Sequence, residues 1–194
     1  FSTTFFQHPA GGRRDGLVHA IPGALYGKDH AVLYSPPHPQ THPDLMPPMT
    51  HLGPAAPAGM CSAGETMFVA QFNMAKVSRH VLKQSGSTFV TEDHDLVVSD
   101  NTDFHPTDVI EDADGSLLVV DTGGWYKLCC PSSQLVKADV LGAIYRIRKT
   151  GSHAVVDARG RMIGWKTLAA TDLAGLLADP RPAVRRQAIE RLAA

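Results

Sequence analysis

Cysteine is scarce: Cys61, Cys129 and Cys130 are the only three in a chain of 194 residues. None belongs to a Cys-x-x-Cys-His haem-attachment string or to paired Cys-x-x-Cys zinc spacing, so the sequence holds no haem site and no zinc pattern. Long apolar runs are missing too. No stretch approaches the roughly 20 residues of a membrane span, and no basic-then-apolar leader is visible. The chain begins with Phe1, which reads as an internal piece, so the missing leader is uninformative about export. Neither charge sign prevails. Eighteen Lys and Arg against 19 Asp and Glu leave a net charge of −1, which offers no footprint for nucleic acid or an anionic membrane.

Turn formers are plentiful, with 17 Gly and 14 Pro, and charged residues make up 19%. That balance predicts a turn-rich β protein. Residues 36–60 hold eight of the prolines. Such a density removes backbone donors and predicts a long ordered loop or a linker. Strands follow. Met67 to Phe72 is a short apolar run, and Val77 and Val81 fall on the opposite face from His80 and Leu82. Pro106 to Ile110 and Ser116 to Asp121 flank Asp112-Ala113-Asp114-Gly115, a hairpin turn in which Gly supplies positive φ. A later strand alternates Ala143, Tyr145 and Ile147 with Ile144, Arg146 and Arg148.

From Thr171 the period changes to a helical one. Leu173, Leu176 and Leu177 precede the breaker Asp179-Pro180-Arg181-Pro182, and a second helix carries Val184, Ala188, Ile189 and Leu192 on one stripe. Two short helices around Asp-Pro suggest the start of a stacked repeat.

The strings FHPTDVIEDADGSLLVVDTGGWY (104–126) and GAIYRIRK (142–149) resemble blades of the glucose/sorbosone dehydrogenase-like β-propellers. Asp108-Val109, Asp114-Gly115, Asp121 and Tyr145-Arg146-Ile147 occupy the places of the family's repeated unit. VAQFN (69–73), KVSRHVL (76–82), DFHPTDV (103–109) and the Asp179-Pro180…Val184-Arg185 helix are similar to a branch of large planctomycete-type proteins provisionally named membrane-bound dehydrogenases. In those, a propeller precedes HEAT repeats and a c-type cytochrome domain. The resemblance implies a mainly β fold: a partial β-propeller of several blades over 1–150, a linker over 151–167, and the first HEAT-repeat helical pair over 168–194. It also implies export to the periplasm. The interval from Met60 to Met67 reads as too short for a full blade strand-turn-strand. His105 and Thr107 stand where sugar dehydrogenase relatives carry arginines for an acidic quinone, which weakens the case for pyrroloquinoline quinone.

Several residues invite chemical roles. The excursion 122–141 holds Trp125 and Tyr126, which could wall a flat cofactor or sugar ring, or could simply pin their own loop. Adjacent Cys129 and Cys130 could close a vicinal disulfide, pair with Cys61, or remain thiols. His105, in a Phe-His-Pro setting at a strand entrance, is the candidate base, against a hydrogen-bonded structural role. Asp108 and Asp121 either tie blade corners or line the propeller mouth. Arg79 alternates with His80, so at most one of the two faces the channel. His30, His38, His42 and His51 show no metal-ligand spacing, and Asp112 to Gly115 lacks the full ligand set of a calcium loop, so no metal site is expected. The expected function is part of an exported propeller–HEAT oxidoreductase that acts on a sugar or alcohol. It would pass electrons to a cytochrome c domain outside the chain, with protein contacts through the HEAT repeats. The alternative is a non-catalytic propeller–HEAT scaffold binding glycan or protein.

Overall fold

A computed structural model describes residues 2–7, 13–24, 26, 46–124, 137, 139–151, 153 and 155–194. Among these residues, ten strands and two α-helices follow in order. They are β1 (Ser2–Gln7), β2 (Arg13–Leu17), β3 (Thr50–Gly53), β4 (Pro57–Ala63), β5 (Thr66–Gln71), β6 (Lys76–Ser85), β7 (Thr88–Val98), β8 (Pro106–Glu111), β9 (Leu117–Asp121), β10 (Ala143–Ile147), α1 (Ala170–Gly175) and α2 (Pro182–Leu192). The strands form three sheets in meander order: β1-β2-β3, β4-β5-β6-β7 and β10-β9-β8. Chain contacts divide the molecule into two compact units, Phe1–Ile110 with Val119–Tyr145, and Glu111–Leu118 with Arg146–Ala194.

The four-stranded sheet shows why the local sequence folds this way. Gly64 (φ 60°) and Gly86 (φ 60°) supply the left-handed residue of two-residue turns, with Ala63 paired to Thr66 and Ser85 to Thr88. Between β5 and β6 a 3-10 turn, Phe72–Met74, ends on Ala75 in the left-handed region (φ 47°). The Met60-to-Met67 interval is therefore long enough. A two-residue turn lets Met60 pair with Val69, which corrects the expectation of a shortened blade.

The proline-rich stretch is likewise not all loop. Thr50–Gly53 is a strand, with His51 opposite Gly16, and Pro57 opens β4. At the first residue of a strand a missing N–H costs no ladder bond. The rest of that stretch, up to residue 45, lies outside the described residues. Leu17, Leu52, Ala55 and Val69 make the core cluster, with Met49 and Met60 packed against it. Buried Asp15 accepts a 2.7 Å bond from Ala56 N–H and so holds the approach to β4.

The second unit is organised around α2. Val184 and Ala188 are fully buried, and Leu173 of α1 joins them. Ile189 and Leu192 are exposed at 58% and 41%, so the buried stripe is narrower than the apolar one in the sequence. The turn before the helices is a clamp. Asp157 (φ 47°) accepts the N–H groups of Arg161 and Met162, and Trp165 Nε1 donates to Gly160 O at 2.7 Å. Arg181 forks onto Asp179 with bonds of 2.9 and 2.8 Å and also reaches Asp157 O at 3.0 Å. Arg185 donates to the Asp179 carbonyl at 2.7 Å.

That clamp is acid-sensitive. The side-chain bonds from Arg181, helped by its N–H and by the charges of Arg181 and Arg185, outweigh desolvation and hold Asp179 at about 2 instead of 3.8. A carboxyl with a depressed native pKa stabilises above its unfolded value and loses that contribution as pH falls through the native one. Trp165, with Arg191 stacked 5.5 Å from its ring centroid, reports on this unit. Its fluorescence is expected to change between about pH 4 and about pH 2, and Asp179→Asn removes that component while lowering stability at neutral pH. An unchanged acid transition in the variant would contradict this.

Candidate functional site

Two clusters of polar side chains are built into the first unit. The first surrounds His105 at the entrance of β8. Asp121, at the end of β9, accepts both the His105 N–H (2.9 Å) and the Gly123 N–H (2.8 Å) on a single carboxylate oxygen. His105 Nδ1 donates to Gly123 O at 2.8 Å, and Thr122 N–H returns to His105 O at 3.2 Å. The imidazole lies against Phe72, with ring centroids 4.7 Å apart and planes tilted by 31°. His105 and Asp121 are both buried. Asp121 thus ties the main chain of residues 105 and 123 together, and the Nδ1 bond to Gly123 O orients the His105 ring.

The other residues singled out from the sequence sit as follows. Asp108 directs its carboxylate to the N–H of Val109 at 2.8 Å. It presses on Gly59 so closely that a Cβ there would lie 2.5 Å from the Asp108 Cα. Thr107 donates to Val120 O at 3.3 Å. Arg79 is set across β6 between Phe68 and His94, and its buried Nε has no hydrogen-bond partner among the described residues. The structure thus joins His105 with Asp121 and leaves Arg79 out of that cluster. Trp125, Tyr126, Cys129 and Cys130 lie outside the described residues, but the base of their excursion is defined. Gly124 N–H donates to Val140 O and Lys137 N–H to Gly124 O, each at 3.0 Å. Lys137 Nζ pairs with Asp103 at 2.6 Å.

The second cluster has no counterpart among the sequence expectations. Ser78 and His80 alternate on β6 and share a face, and Asp93 stands directly opposite His80 on β7. Gln71 Nε2 donates to Ser78 Oγ at 2.6 Å, Ser78 Oγ meets His80 Nε2 at 2.7 Å, and His80 Nδ1 meets Asp93 Oδ1 at 2.8 Å. Thr50 and Thr91 also donate to Asp93. Burial pushes the Asp93 carboxyl up, but hydrogen bonds from His80, Thr50 and Thr91 and the His80 charge overcome it and place it at about 2. With Asp93 ionised, His80 carries its proton on Nδ1, and Nε2 accepts from the Ser78 hydroxyl. Gln71, Ser78 and His80 are almost fully buried. With Asp93, they line a cavity of about 200 Å³ that also touches His51, Lys76 and Asp95. The signal was present in the sequence. The Gly86-Ser87 turn pairs residue 85 with 88, and counting back along both strands brings 80 opposite 93.

In the second unit, Asp112 is met by Arg146 at 2.8 Å and Arg159 at 2.5 Å, and Asp114 by Arg146 and Arg148 at 3.3 and 3.5 Å. These turn carboxylates already have cationic partners. Among the described residues, no group of three or more His, Cys, Asp or Glu is placed to hold a metal ion. No helix among them is long and apolar enough to cross a membrane.

These elements define a mainly β chain of several small sheets, with a partial propeller-like fold and a short helical end. Among solved structures it is similar to a crystal structure of a candidate oxidoreductase, a glucose dehydrogenase, from Thermus thermophilus. The TM-score is 0.52 and the identity 14%, and the match covers 76% of this chain and 41% of that one. The chain therefore spans about two fifths of that structure's length. No family model matches the sequence. No curated protein matches it.

Proposed function

We propose that this chain is part of an exported oxidoreductase that acts on a sugar or alcohol and passes electrons to a cytochrome c domain outside the chain. The observation that carries the reading is the propeller-like fold shared with a structure named as a glucose dehydrogenase. At that likeness the support extends to the fold, and the site must supply the rest. Oxidising an alcohol removes a hydride from carbon and a proton from oxygen. His105 suits the proton transfer by residue type, and the bond from its Nδ1 to Gly123 O holds the imidazole in one orientation at the entrance of β8. In this reading 1–150 is the propeller part, 151–167 a connection, and 168–194 the first HEAT pair. Leu177, Ile189 and Leu192 are exposed apolar side chains of the kind a following helical pair would cover.

Pyrroloquinoline quinone does not fit the residues present. Its three carboxylates call for fixed cations, whereas the places at which arginines would stand hold Thr107, bonded to Val120 O, and His105, bonded to Gly123 O. No step is routed through it. The commitment of the Asp108 and Asp121 carboxylates to backbone N–H groups favours a second reading, a non-catalytic propeller–HEAT scaffold that binds glycan or protein.

Assaying the full-length protein with a panel of sugars and alcohols and an artificial electron acceptor separates the two. Turnover is expected, and His105→Ala should lower kcat by about 100-fold or more, the usual contribution of a general base. Failure to reduce the acceptor with any substrate would leave the scaffold reading standing.

A further inference from the structure

We propose that Ser78 is an activated nucleophile, with His80 as its base and Asp93 as the residue that positions that base, and that small acyl esters are its substrate class. The activity is distinct from the oxidoreductase reading and does not depend on it.

The geometry comes from three strands. Because side chains alternate along a strand, Ser78 and His80 project from the same face of β6. The antiparallel register then sets Asp93 beside the imidazole. The two hydrogen bonds, 2.7 Å from Ser78 Oγ to His80 Nε2 and 2.8 Å from His80 Nδ1 to Asp93 Oδ1, fall within the range that couples nucleophile, base and orienting group. Such a set is recognised by geometry and roles, whatever the fold or chain order. The ionised Asp93 holds the imidazole proton on Nδ1, so that Nε2 faces the serine hydroxyl as an acceptor. A proton arriving on Nε2 creates an imidazolium beside that carboxylate.

All three residues line the same cavity, whose volume of about 200 Å³ suits an acyl group of a few carbons and a compact leaving alcohol. Gln71 supplies the remaining element. Its Nε2 donates to Ser78 Oγ at 2.6 Å, which puts a side-chain donor beside the attacking oxygen, where negative charge develops on an attacked carbonyl. Its own Oε1 is buried without a partner among the described residues.

The step balances without a further reactant. Ser78 Oγ forms a bond to the ester carbonyl carbon as its proton passes to His80 Nε2. The tetrahedral centre expels the alkoxide, which takes that proton and leaves as the alcohol. Water, deprotonated by His80, then cleaves the acyl-serine to carboxylic acid and regenerates the hydroxyl.

The test uses the full-length protein with a fluorophosphonate probe and with p-nitrophenyl acetate. A covalent adduct mapped to the peptide containing Ser78 is expected, together with an early burst of p-nitrophenol. Ser78→Ala should abolish both. Asp93→Asn, which no longer fixes the imidazole proton, should slow adduct formation by about 100-fold or more and alter its pH profile. Absence of an adduct on Ser78 in the folded, unmodified protein would overturn the proposal, whatever the folding of the variants. So would labelling that proceeds equally fast in Asp93→Asn.

Discussion

Replacing Asp121 with alanine is expected to lower the stability of the first unit by about 3 kcal/mol. One carboxylate oxygen serves two main-chain donors, the N–H groups of His105 and Gly123. Removing it leaves both without that acceptor in a buried place, and each buried unsatisfied group costs about 1–3 kcal/mol. Loss of the ion itself partly offsets this, because a 7% exposed carboxylate is costly to desolvate. Asp121→Asn keeps one acceptor oxygen and should recover part of the difference. The check is urea denaturation followed by far-UV circular dichroism, with the midpoint falling at unchanged slope. Equal midpoints for Asp121→Ala and the parent would show that the bridge contributes nothing. Because His105 is held by the same carboxylate, the alanine variant should also release the imidazole from its contact with Phe72.

The second large effect is expected at Gly160. Its φ of +64° costs a side-chain-bearing residue about 1–3 kcal/mol. A Cβ there would in addition lie 2.8 Å from Val184 Cγ2 and 3.1 Å from Trp165 Cζ2. Val184 is fully buried on α2, and Trp165 bonds the Gly160 carbonyl, so neither can withdraw without disturbing the clamp. Gly160→Ala should therefore cost more than Gly151→Ala. Gly151, in the same unit, shares the positive φ (+77°) but has nothing among the described residues within 4 Å of an added Cβ. The expected penalties are about 3 kcal/mol against about 1 kcal/mol, read from Trp165 fluorescence during unfolding. Equal losses would mean that the packing on Val184 contributes nothing beyond backbone strain.

Much of the fold could be read from local pattern. The alternation of Val77 and Val81 against His80 and Leu82, the Asp-Gly turn at 114–115 and the helical spacing around Asp179-Pro180 all depend on neighbours in sequence. Departures arose where distant partners decide. His51 and Leu52 lie on a strand that pairs with β2, across a proline-rich stretch in which no local signal marks a strand. Ile189 and Leu192 are apolar yet exposed, whereas Val184 and Ala188 on the same helix are fully buried.

The candidate sites divide the same way. His105 stood out through its Phe-His-Pro setting, and Asp121 through the end of its strand, but nothing in the string says that one carboxylate bridges residues 105 and 123. Ser78, His80 and Asp93 could have been aligned by counting back from the Gly86 turn. Their hydrogen-bonded order, however, also involves Gln71 of β5 and Thr50 of β3, which other strands supply. What the amino-acid sequence by itself determined is therefore the periodic part: strands, tight turns, the helical pair and a near-neutral charge. These are set by side-chain alternation, by glycine's access to positive φ and by proline's missing donor. Only the tertiary structure decided which polar groups face one another. It placed the His105 ring on Phe72 and Gly123, and assembled Gln71, Ser78, His80 and Asp93 around one cavity. A buried polar atom is satisfied by whichever partner the packing delivers, and that partner comes from another strand.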